Sequence, residues 1–71
     1  MPTIEEIHES LVNGQRRQMV EQIDSYGTYD FWDDYRYWLH NNIDSRDIER
    51  YQEIISWFSD CVVSYFRIKN R

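Results

Sequence analysis

The chain is poor in residues that break a helix or staple a fold. It holds one proline, Pro2, two glycines, Gly14 and Gly27, and one cysteine, Cys61. A β-rich fold would need more turn residues than these. A single cysteine excludes an internal disulfide. His8 and His40 have no second ligand at CxxC or HExxH spacing, so no metal site is expected. GxSxG, P-loop and GxGxxG motifs are absent, and two glycines cannot build a phosphate cradle. No cofactor and no catalytic residue is therefore expected. No run reaches the roughly 18 apolar residues of a membrane span. The acidic start, MPTIEEIHES, lacks the layout of an export signal. With one cysteine, this points to the cytoplasm. Positive charge is also scarce: 8 basic against 13 acidic residues give a net charge of −5. That argues against a broad basic surface for a nucleic-acid backbone or an anionic membrane.

Aromatic residues, by contrast, are abundant at 17% of 71 residues. The length allows one domain, residues 1–71. A domain this small is marginal unless it packs densely or self-associates. Each large ring can remove roughly 150–250 Å² from water, so dense packing is within reach.

The hydrophobic spacing predicts four helical segments and an all-α fold, a small bundle of three to four helices with a long C-terminal helix. Thr3-Ile-Glu-Glu6 reads as a capping box opening a helix to about Asn13. Ile4, Ile7 and Leu11 give it a narrow stripe. Asn13 is a fair N-cap for a second helix, about Gly14–Tyr26, with Met19, Val20, Ile23 and Tyr26 on its apolar face. Gly27 suits a helix stop. Thr28 is the expected N-cap of a third helix to about His40, with Phe31, Trp32, Tyr35, Trp38 and Leu39 on one face. A loop over 41–44 follows, and Asp44 or Ser45 starts the last helix, running to about Lys69. Ile48, Tyr51, Ile55, Phe58, Val62 and Tyr65 alternate three and four apart on it as a heptad seam. Ile54, Cys61 and Ile68 lie beside that seam and widen the arc to roughly 160°. This helix is longer than its neighbours, so either the first helix covers the remainder of the stripe or a second chain does. Homodimerisation through Tyr51, Ile55, Phe58, Val62 and Tyr65 is the expectation.

Candidate binding residues are few. Arg16 and Arg17 sit in a first turn, the unfavourable end for positive charge. Two readings stay open: pairing with Glu21, Asp24 or a neighbouring helix, or contact with phosphate or an acidic partner. Tyr29 and Tyr37 fall away from the centre of their apolar face, Trp57 borders the arc of the last helix, and these are the rings expected at the surface. An exposed Tyr or Trp among acids suits a protein-binding hot spot; the alternative is a packed core with wet hydroxyls. Asp30, Asp33 and Asp34 lie opposite the apolar face and read as a solvated surface rather than an acid–base pair. Cys61 reads as a buried, unreactive side chain.

Three runs carry a resemblance: Asn13-Gly-Gln-Arg-Arg-Gln-Met-Val-Glu-Gln-Ile23, Tyr29-Asp-Phe-Trp-Asp-Asp-Tyr35 and Tyr65-Phe-Arg-Ile-Lys-Asn-Arg71. They resemble short uncharacterised proteins of tailed bacteriophages, notably those of marine cyanobacteria. The resemblance implies expression in a bacterial host's cytoplasm and, by analogy with small early phage proteins, binding to a host protein. It carries no functional motif. Three functions follow as expectations: a non-enzymatic protein-binding module that modulates or inhibits a host protein, a self-associating assembly subunit, or a weak nucleic-acid binder using Arg16, Arg17, Arg67, Lys69 and Arg71.

Overall fold

Thr3 starts the first helix as its residue type predicts. Its hydroxyl accepts the Glu6 amide N–H at 3.2 Å and donates to the Glu6 carboxylate at 3.3 Å. The computed structural model describes residues 1–43 and 47–70, and these form four helices: α1 (Ile4–Val12), α2 (Arg16–Tyr26), α3 (Thr28–Asn42) and α4 (Ile48–Lys69). The fold is all-α, with the long helix at the C-terminal end and overall extents of 36 × 23 × 21 Å.

Both glycines sit where the chain reverses with positive φ. Gly14, at φ +76°, separates α1 from α2, and the Gln15 amide N–H closes the turn onto the Ser10 carbonyl at 2.8 Å. The expected cap at Asn13 is not used: Asn13 ends α1, and Gln15 opens α2 without a side-chain cap. Gly27, at φ +110°, ends α2 and starts α3 at once. Its N–H donates to the Ile23 carbonyl, and its own carbonyl accepts from the Phe31 amide. Thr28 is thus the first residue of α3 rather than its cap, because its hydroxyl is drawn across the bundle to Tyr65 at 3.1 Å. α3 runs to Asn42, two residues beyond His40, and Asn42 Nδ2 donates back to the Trp38 carbonyl at 2.8 Å. α4 opens on Asp47, whose carboxylate accepts the Glu49 amide N–H at 2.9 Å. The expected starts at Asp44 and Ser45 lie outside the described residues.

The core is one cluster fed by all four helices. Ile7 and Leu11 come from α1, Met19, Val20 and Ile23 from α2, Phe31, Tyr35 and Leu39 from α3, and Ile54, Cys61 and Tyr65 from α4. Around it the rings interlock: Phe31 stacks on Tyr35 at 5.1 Å between centroids, and Trp32 meets Tyr65 edge-on at 5.5 Å. Such pairs add roughly 0.5–1.5 kcal/mol each beyond their buried area.

The heptad seam expected on α4 is corrected here. The line facing the bundle is Ile54, Cys61 and Ile68, not Ile48, Ile55 and Val62. At ~100° per residue the two lines stand about 120° apart, so the broad apolar arc is two faces, one inward and one outward. Tyr65 sits in the inner face, 5% exposed, and Phe58 is half-buried against the core, so neither is a free contact for another chain. Tyr51 and Ile55 are exposed, and Val62 is half-buried.

Candidate protein-docking surface

Fixing α3 by Phe31, Tyr35 and Leu39 determines what its opposite side presents. Tyr29, Asp33 and Tyr37 are four residues apart and lie on neighbouring turns of the outer face. Tyr29 is 87% exposed and Tyr37 69%, the first an unusual value for so large a ring. Asp30, Asp33 and Asp34 are exposed alongside them. Asp33 pairs loosely with Arg36 at 3.5 Å, and Asp34 accepts the Tyr26 hydroxyl. That carboxylate pushes the Tyr26 phenol up, so the proton stays on the tyrosine. The surface is a pair of rings among carboxylates.

Trp57, the third ring expected at the surface, is half-buried instead. Its indole meets the His8 ring edge-on at 5.4 Å, and His8 also lies against Trp38 at 4.9 Å. Burial lowers the His8 pKa, with Glu9 acting weakly in the other direction. Sequence spacing gives no sign of this contact, since His8 reaches Tyr35, 27 positions away, at 2.7 Å.

The arginine pair divides. Arg16 takes the intramolecular reading, onto a helix partner: Nε donates to the Ser64 hydroxyl at 3.0 Å and the guanidinium lies 3.4 Å from Asp60. Arg17 is exposed. With Arg67 it lines a concavity of about 580 Å³ at the start of α2, and neither has a carboxylate within 4 Å among the described residues. Lys69 is held by Asp24 at 2.9 Å, and Arg71 lies outside the described residues. Two of the cations expected to serve a nucleic acid are thus engaged within the chain.

Two further ionisable groups, Asp24 and Cys61, are engaged within the bundle. Asp24 accepts from the Tyr65 hydroxyl at 2.6 Å and from Lys69; these bonds, the tyrosine's first, hold its carboxyl below the usual range. Cys61 is buried with its sulfur 3.8 Å from that of Met19, and burial pushes the thiol up to about 12. A thiol so poised stays protonated at neutral pH and is a poor nucleophile. Among the described residues no three His, Cys, Asp or Glu side chains are placed to hold a metal ion, and no helix is long and apolar enough to cross a membrane.

No family model, curated protein or solved structure matches this chain. The class it belongs to is therefore the one its own fold defines: a small all-α four-helix protein whose third helix turns tyrosines and carboxylates outward.

Proposed function

We propose that the protein is a non-enzymatic binding module that docks another protein onto the outer face of α3. The carrying observation is the pair Tyr29 and Tyr37, 87% and 69% exposed on one helical face among three aspartates. Rings standing in water contribute little to a monomer's stability, yet they are the side chains that dominate interface energies. The carboxylates favour a partner with a basic patch, drawn in by charge complementarity. Together with the phage resemblance, the reading is a phage-encoded modulator or inhibitor of a host protein in the bacterial cytoplasm. Self-association, were it to use α4, would occupy a different face and be compatible with it.

The test is affinity capture from host lysate with the intact protein and with a Tyr29→Ala/Tyr37→Ala variant as baits. The expected result is a specific partner retained by the first and lost by the second, each ring contributing about 2 kcal/mol or more. Equal capture by both baits, or no specific partner, overturns the reading.

A further inference from the structure

The outward line of α4 is a row of apolar side chains that the bundle leaves uncovered. Ile48, Tyr51, Ile55, Ser59, Val62 and Phe66 fall within about 80° of arc and run for about 27 Å. Ile48, Tyr51, Ile55 and Phe66 are 76%, 48%, 52% and 46% exposed. With Val63 beside them they put on the order of 500 Å² of apolar side chain into water, at the upper end of what a monomer ordinarily shows. Its middle, Tyr51, Ile55, Ser59 and Val62, forms part of one wall of a groove of about 400 Å³ closed on its other side by Arg36 and His40 of α3.

Charge singles this face out. Between Arg50 and Arg67 the only charged residues are Glu53 and Asp60. Both lie on one flank of α4, and both are engaged within the chain, by Arg50 at 3.2 Å and Arg16 at 3.4 Å. A 30%-charged protein of net charge −5 thus keeps one long strip free of charge. Two copies meeting on this strip bring together no charged side chain of α4, and the charge at its α3 edge, Arg36, is paired with Asp33 at 3.5 Å.

We propose that this strip docks a second copy of the chain, as an antiparallel two-fold dimer. In a two-fold contact each residue meets the same counterpart in both directions. An axis passing near Trp57 sets Ile55 of each copy over Ser59 of the other, large against small, and Ile48 against Phe66. Antiparallel pairing also opposes the two helix dipoles, which parallel pairing would align. With the α3 edge included, the covered area falls at the low end of specific interfaces, below the ~800 Å² per partner of the standard size. The dimer leaves Tyr29 and Tyr37 open and does not depend on the function proposed for them.

The experiment is sedimentation equilibrium on the full chain up to about 0.5 mM, above the Kd of a weak interface. The expected result is a dimer of the intact protein. Ile55→Glu, at a position already half in water, should raise Kd at least tenfold with far-ultraviolet circular dichroism unchanged, because it buries an unpaired carboxylate. A monomer across the whole range, or a dimer indifferent to Ile55→Glu, overturns the proposal.

Discussion

His8 of α1 and Tyr35 of α3 meet at 2.7 Å, Nδ1 to hydroxyl, in the middle of the bundle. Burial raises the Tyr35 phenol far above its ordinary value and lowers the His8 imidazole, so both groups are neutral near pH 7. Which of the two atoms donates is set by the imidazole tautomer. The contact satisfies two polar atoms that would otherwise be stranded among Trp38, Trp57 and Phe58. Tyr35→Phe should lower stability by about 1–3 kcal/mol in urea unfolding, because it orphans the histidine nitrogen. A loss no larger than that of an exposed tyrosine would deny the bond any role.

The same histidine sets a pH dependence. A group whose folded pKa lies below its unfolded value of 6.5 binds more protons when unfolded. Stability is therefore full well above pH 6.5 and falls as pH drops through 6.5 toward the folded value. His8→Gln should flatten that slope. Asp24 acts lower on the scale: its carboxyl is depressed from 3.8, so the stability it contributes is present above 3.8 and is lost as pH falls below it. Urea midpoints measured between pH 8 and pH 3 should show both steps, only the lower one surviving in the His8 variant.

Gly27→Ala should destabilise more than Gly14→Ala. A Cβ at Gly27 would meet only Asp30 Oδ2 at 3.7 Å, and one at Gly14 meets nothing within 4 Å, so space is not at issue at either site. The backbone decides. Gly14 at φ +76° is near the left-handed region that other residues visit at about 1–2 kcal/mol. Gly27, with φ and ψ both at 110°, lies outside it. Thermal unfolding of the two variants ranks them, and equal melting temperatures would contradict the argument.

Cys61 should resist thiol reagents in the native protein and react on unfolding. It is 1% exposed, and its thiol is protonated at any ordinary pH. Labelling should therefore track the unfolded fraction in urea. Rapid modification of folded protein at pH 7 would mean that the α2–α4 contact opens freely.

Much of the fold was legible because each helix carries its own punctuation. The Thr3 cap and the Gly27 stop needed no tertiary information, and Phe31, Tyr35 and Leu39 announced the inner face of α3. The errors fall where a side chain spends its polar group at a distance. Thr28 reads as a cap until its hydroxyl is seen on Tyr65, and Asn13 reads as one until the Ser10–Gln15 hydrogen bond tightens the turn. On α4 the aliphatic residues favour one line and the bundle chose the other, because Cys61 and Ser64, inconspicuous by hydropathy, fit beneath Met19 and Arg16. Of the surface sought, Tyr29 and Tyr37 could be placed by periodicity on α3. Trp57 could not, since its cover comes from a histidine nearly fifty residues earlier.

The His8 ring, wedged 4.9 Å from Trp38 and 5.4 Å from Trp57, gives the molecule an optical gauge of its own. Two of the three indoles report on whether α1 is seated, while Trp32, packed with Tyr65 and Phe66, does not. Release of the first helix would thus change the emission of one pair of fluorophores and spare the other, with no dye attached.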